Sequence, residues 1–358
     1  MVLNLILAFF SLIGLIVLHE LGHFIFAKKF GVKVEEFGIG YPPRLLSKKI
    51  GETIYSLNLL PFGAFVKILG EEKRITDPRS FSAQPIKKRV LIVLGGVLSF
   101  WIVSAILLSI VMGVGYPAMV EDEEAGVLNP KVQILNVAPN SPAEKAGLEI
   151  ADTIKGVLIE GSFVPILKIS QFQKIVENYK GKELVLKIER GKEVFETKVI
   201  PRSSPPKNEG PMGIVLARVA IKKWPWYQAP WQGIKTTFNL TMGIIKGIGY
   251  TIFRVIKGLP TQAQLVGPIG IFALFSQMSK LGTIYFIQMV ALISLYLAIF
   301  NLLPIPVLDG GKLLFLGIEA IRKRPISEKW EKNISAFFFI LLIILMIIVT
   351  IKDINRFF

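Results

Sequence analysis

The stretch LIVLHELGHFIFAKKF, Leu15 to Phe30, sets His19, Glu20 and His23 within five residues, after eighteen opening residues that carry no charge. On a helix, positions four apart share a face, so the two imidazoles can hold one divalent metal ion between them. Glu20 projects beside them, where it can take a proton from water whose pKa the metal has lowered. A carboxylate in a greasy helix costs several kcal/mol on roughly any scale, so its presence there points to chemistry rather than packing.

The spacing is the H-E-x-x-H arrangement of zinc metallopeptidases. His19 and His23 are the chain's two histidines and there is no cysteine, so disulfides and thiolate ligands are excluded. A third protein ligand for zinc must then be Asp or Glu. FNLLPIPVLDGGKLLF, Phe300 to Phe315, supplies Asp309. Pro304 and Pro306 break the helix before it and free backbone for the carboxylate to turn inward. By itself Asp309 could be the N-cap of a following helix. Ligand count and matching depth select it instead as the third ligand, giving one zinc ion per chain held by His19, His23 and Asp309, with Glu20 as catalytic base.

Elements that could position these residues follow from composition. The chain has 358 residues, 52% hydrophobic and 19% charged, with a mean hydropathy of +0.55. That is too apolar for an ordinary soluble protein, and a polytopic α-helical membrane protein is expected. Four stretches are long enough to span: Met1 to Ala27, Val90 to Val120, Leu281 to Leu308, and Ile334 to Ile351. The first has no basic n-region and carries ionisable residues, so it is expected to be retained rather than removed as a signal peptide. The net charge of +16 could suggest nucleic acid, but thirteen Lys/Arg lie between Lys28 and Arg89, with Arg322, Lys323, Arg324, Lys329 and Lys332 between the last two spans. Basic loops beside spans follow the positive-inside rule, which puts both loops in the cytoplasm and both termini outside. A nucleic-acid partner is not expected.

Residues 1–120 then comprise two spans and, over 28–89, a cytoplasmic β region associated with the membrane. Its apolar segment Leu59 to Phe65 either dips beside the first span or lies on the bilayer surface. Residues 121–217 read as an inserted extracytoplasmic α+β domain, most clearly over Lys131 to Arg202. There NSPAEKAGL has the marks of a capped helix, Ser170 with Gln173 repeats the device, and strand-like segments surround both. The order resembles a PDZ domain of the bacterial protease type, although Ala151 stands where glycine is usual; such domains bind extended peptides by strand addition. Residues 218–280 hold Lys235, Lys246 and Lys257 at eleven-residue spacing behind Trp224, Trp226 and Trp231, which predicts an interfacial amphipathic helix in contact with lipid. Residues 281–358 carry the last two spans.

Together, HELGH in the first span, NLLPIPVLDGG in the third and the PDZ-like insert resemble the site-2 protease family of intramembrane zinc metalloproteases, specifically the bacterial sigma-E-regulating type. GPIGI at Gly267 to Ile271 and LPFGAFVKI at Leu60 to Ile68 extend the likeness over nearly the whole chain. The resemblance implies that Asn301 helps hold an unwound substrate, with the LPFGAFVKI strand clamping it extended. It implies substrates with a single transmembrane segment, such as anti-sigma factors already trimmed outside, or remnant signal peptides, in the bacterial inner membrane. In the second span Gly95-Gly96-Val-Leu-Ser99 stands where Gly-Pro-x-x-Asn is usual, so the sequence departs from the family pattern at Gly96 and Ser99, and also at Lys312, where histidine is frequent. The competing expectation is a non-enzymatic PDZ-bearing membrane adaptor or a metal transporter.

Overall fold

The computed structural model describes residues 2–71, 73–124, 127–159, 161–191, 193–207, 209–259 and 266–357, without the side chains of 2–4, 356 and 357. In chain order, α1 (Val2–Lys29), β1 (Val34–Ile50), β2 (Thr53–Ile68) and α2 (Ile86–Val114) come first. They are followed by β3 (Tyr116–Met119), β4 (Leu128–Val137), α3 (Pro142–Lys145), β5 (Thr153–Ile159), β6 (Ser162–Pro165), α4 (Ile169–Asn178), β7 (Leu184–Arg190), β8 (Glu193–Val199) and β9 (Ile214–Lys222). The chain closes with α5 (Ala229–Ile256), α6 (Pro268–Leu281), α7 (Thr283–Leu302), α8 (Asp309–Arg322) and α9 (Glu328–Phe357). Among the described residues four helical segments are long and apolar enough to cross a membrane: Leu5–Lys29, Ile86–Val114, Thr283–Leu302 and Glu328–Asn355. These are the four expected spans, with shifted ends. The second stops at Val114 because Gly115, at φ +143°, turns the chain into β3. The third stops at Leu302, since Pro304 and Pro306 cannot continue it.

The chain divides into two compact units. One comprises Met1–Leu108, Gly233–Ala273 and Val290–Phe358. Within it α1 and α2 touch backbone to backbone: a Cβ on Gly22 would lie 2.2 Å from the Gly95 carbonyl oxygen, so neither helix tolerates a side chain there. Ser294 of α7 donates to the Phe100 carbonyl of α2 at 2.8 Å, and Trp101 Nε1 donates to Thr241 Oγ1 of α5 at 3.2 Å. The β1–β2 sheet is antiparallel, and bends in both strands place β2 on either side of Glu36–Ile39: Ala64–Lys67 on one, Ile54–Leu57 on the other. A core of Ala27, Val34, Ile68, Phe81, Ile92 and Leu316 joins α1, both strands, α2 and α8. The apolar effect thus holds the small sheet against the helices that carry the polar motifs.

The second unit comprises Ser109–Gln232 and Leu274–Met289. Its seven-stranded sheet runs β3-β9-β4-β5-β7-β8, with β6 also on β5, and every pairing is antiparallel. Ile134, Ile154, Leu186 and Ile188 alternate inward to meet Phe172 and Val176 of α4. The box at NSPAEKAGL forms: Glu144 N donates to Ser141 Oγ at 3.1 Å, and Asn140 N to Glu144 Oε2 at 2.6 Å. The expected repeat at Ser170 does not. The N-cap of α4 is Lys168, two residues before Ser170, and the free N–H groups at Ile169 and Ser170 donate to the Asp122 carboxylate at 2.9 and 2.7 Å. These bonds hold the Asp122 carboxyl below its ordinary range against the opposing effect of burial. Ala151 adopts φ +75°, the left-handed conformation that glycine takes without strain. Beside it Asp152, fully buried, accepts from Arg190 Nε and Nη2, both at 2.7 Å. A groove of about 470 Å³ runs between α4 and the start of β9, lined by Phe172, Val176, Met212 and Ile214.

Candidate metal centre

His19 and His23 stand one turn apart on α1, 8% exposed each, and α8 brings Asp309, 7% exposed, to meet them. Asp309 is the first helical residue of α8, with Leu308 as the N-cap. Two glycines make that placement possible. A Cβ on Gly310 would lie 2.1 Å from the Leu303 carbonyl oxygen, and one on Gly311 would lie 2.3 Å from that of Ile305. The Asp-Gly-Gly start can therefore fold tightly against the proline-broken end of α7, with Leu308 N donating to Ile305 O at 2.8 Å.

The donor atoms form a nearly equilateral triangle. His19 Nε2 and His23 Nε2 are 3.2 Å apart, and Asp309 Oδ2 lies 3.4 Å from the first and 3.3 Å from the second. A tetrahedral zinc ion with bonds of about 2.0–2.1 Å needs ligand atoms about 3.3–3.4 Å apart, so the residues present fit that ion. Asp309 Oδ2 is also buried without a hydrogen-bond partner, as is His19 Nδ1. A buried carboxylate oxygen left unpaired is costly, and a cation at the triangle's centre would satisfy it. His23 Nδ1 donates to the Ile92 carbonyl at 3.0 Å, which fixes the tautomer that leaves Nε2 as a lone-pair donor. The His19 ring stacks on Phe100, with centroids 4.7 Å apart at 16°.

Gly96 of α2 lies directly over this triangle. A Cβ there would come within 2.2 Å of His23 Nε2 and 2.7 Å of His19 Cε1. Ser99, three residues on, donates to the Gly96 carbonyl at 2.6 Å. Both positions depart from the family pattern, and the sequence does not show what they touch. The available signal was Gly22 and the Gly95-Gly96 pair inside long apolar helices, a pattern that lets helices approach closely.

A cavity of about 600 Å³ opens onto His19, His23 and Asp309, and Glu20 and Asn301 line it too. Asn301 donates through Nδ2 to the Leu297 carbonyl of its own helix at 2.9 Å. Ala64, Phe65 and Val66 of β2 form another part of the wall, with Glu71 and Lys312 near them. Glu328, Glu331, Lys332 and Ser335 of α9 complete it. The sequence offered no sign of that last contribution, because the start of α9 reads as a charged loop edge and reaches the cavity only through tertiary packing.

Two buried imidazoles and one carboxylate at zinc spacing, in an assembly of four apolar spans with a glutamate on the same cavity, define an integral-membrane zinc metalloprotease. Residues 7–345 match the profile of peptidase family M50, and the chain belongs to that family, the site-2 proteases. It is 34% identical over 351 residues to a protein of Clostridium perfringens named as a zinc metalloprotease, covering 98% of each chain. It is 26% identical over 443 aligned positions to the zinc metalloprotease RasP of Oceanobacillus iheyensis, covering 99% of each. It is 25% identical over 443 positions to the regulator of sigma-W protease RasP of Bacillus subtilis, covering 100% of each.

Proposed function

We propose that the protein hydrolyses peptide bonds of membrane-spanning substrates, with His19, His23 and Asp309 as zinc ligands and Glu20 as general base. The observation that carries this reading is the 3.2–3.4 Å triangle of donor atoms on a cavity that Glu20 also lines. Zinc, when bound, supplies Lewis-acid polarisation of the scissile carbonyl and a lowered pKa for the attacking water. Glu20 takes the proton released as water attacks the carbonyl carbon, and returns it to the departing amine as the C–N bond breaks. A helical substrate hides its carbonyls behind its own hydrogen bonds, so it must enter extended. Ala64–Val66, which line the cavity, offer a strand edge for it, and Asn301 offers an amide for its backbone.

Substrates on this reading are single-span membrane proteins already trimmed outside, such as anti-sigma factors, and remnant signal peptides. The name of the Bacillus subtilis relative supports a regulatory substrate. The basic loops argue for an active site toward the cytoplasm, with both termini and the sheet unit outside. The sheet unit is read as a PDZ-type domain on its strand order and its groove between α4 and β9, where it would screen substrate size or hold a peptide end. The amphipathic α5 is read as a lipid contact. The test compares membrane-protein fragments in cells carrying the parent or Glu20→Gln. Fragments of single-span proteins should vanish in the variant, and an unchanged fragment pattern would refute the assignment.

A further inference from the structure

α8 carries more than a ligand on its inner face. Asp309, Lys312, Leu316 and Glu319 follow the spacing of one helical stripe. Lys312 Nζ pairs with Glu71 Oε1 at 2.6 Å. Leu316 packs in the core with Ile68, the last residue of β2. Glu319 takes a two-pronged contact from Arg89 of α2, one prong at 3.0 Å. Glu71 lies five residues beyond Val66, and the intervening segment is pinned: Leu69 N donates to Lys33 O at 3.0 Å, and Phe81 N to Leu69 O at 2.7 Å. Displacement at Glu71 is therefore passed to the β2 edge that lines the cavity, while displacement at Lys312 is passed to Asp309 one turn away.

We propose that the Lys312–Glu71 ion pair is a positioning device, setting the distance between the strand edge that holds the extended substrate and the metal ligands. The inference rests on the protease reading above. Neither residue need touch the reacting atoms. Their effect lies in alignment, where a misplacement of about 1 Å can cost about 100-fold in turnover.

The test uses the full-length protein in detergent with a helix-destabilised single-span substrate, measuring kcat, KM and zinc content for Lys312→Met, Glu71→Gln and the charge-swapped Lys312→Glu/Glu71→Lys. Each single variant should lose about 10–100-fold in kcat with KM within about 3-fold of the parent and one zinc ion still bound. The swap should recover kcat to within about 5-fold of the parent, because a reversed pair sets the same spacing. Lys312→Arg, which keeps the pair, should stay near the parent. The proposal is overturned if Glu71→Gln matches the parent while Lys312→Met and the swap are both inactive, since the lysine charge itself would then act on the reaction. It is equally overturned if the single variants lose zinc, since the pair would then be holding Asp309 alone. Cleavage by Glu20→Gln at the parental rate would instead sink the protease reading, and is scored separately.

Discussion

Gly96→Ala is the smallest change that should empty the metal centre. The added methyl would lie 2.2 Å from His23 Nε2, where 3.4 Å is ordinary contact, so the ring must retreat by about 1.2 Å. Zinc–ligand distances tolerate only about 0.2 Å. Retreat of α2 would open the Gly22–Gly95 backbone contact and, through the His23 Nδ1–Ile92 bond, would pull the same imidazole out of the triangle. Ring displacement is the outcome either way. Disturbing a supporting contact of a zinc ligand costs about 10–100-fold in affinity, and moving the ligand itself should cost at least the upper figure. The assay is zinc content of purified protein with chelator competition, alongside circular dichroism to verify helix content. Gly113→Ala on the same helix is the control, since its methyl would sit 3.5 Å from Ala229 Cβ, in ordinary contact. Parental zinc affinity in folded Gly96→Ala would refute the claim that this glycine clears space for the ligands.

Glu20→Gln should keep one zinc per chain and lose nearly all cleavage, because the ligands survive and the proton acceptor does not; metal analysis beside a turnover assay decides it. Asp309→Ala should lose both zinc and activity, since two imidazoles leave the ion under-coordinated; full occupancy would identify another carboxylate as the third ligand. Arg190→Met should destabilise the sheet unit by about 3 kcal/mol, because the buried Asp152 loses both guanidinium bonds and retains the one from Glu149 N; limited proteolysis in urea would register it. Ala151→Gly should raise the unfolding midpoint of the same unit by relieving left-handed strain of about 1 kcal/mol, and an unchanged or lower midpoint would count against that strain.

The parts of the centre that the sequence revealed were those encoded by local spacing or by scarcity. His19, Glu20 and His23 share a helix face by arithmetic, and Asp309 followed from there being no third histidine and no cysteine. The four spans were equally plain, because an apolar run of that length has few other uses. What stayed hidden depends on contacts between distant segments. The chain does not mark Gly96 as covering two imidazoles, Glu71 as the partner of Lys312, or the start of α9 as cavity wall. Even the Ser170 box, correct in pattern, yields to Asp122, because the helix starts two residues earlier and a remote carboxylate is already in reach. The strands β3 and β9 lie far apart in sequence and pair only across the unit, so local alternation could not announce them.

The proposed ligand set is divided between the two ends of the chain. Asp309 is made 286 residues after His23, a delay of roughly 15–60 s at ribosomal speeds of about 5–20 residues per second. Throughout that interval the first span exposes two imidazoles and a glutamate but cannot build the three-donor cage. On the proposed ligand set, a nascent chain lacks a complete cage until α8 has been inserted and folded. If those three residues hold the zinc, its resistance to chelation would serve as a stopwatch for completion of the cage, and a product stalled before α8 should fail to retain the metal.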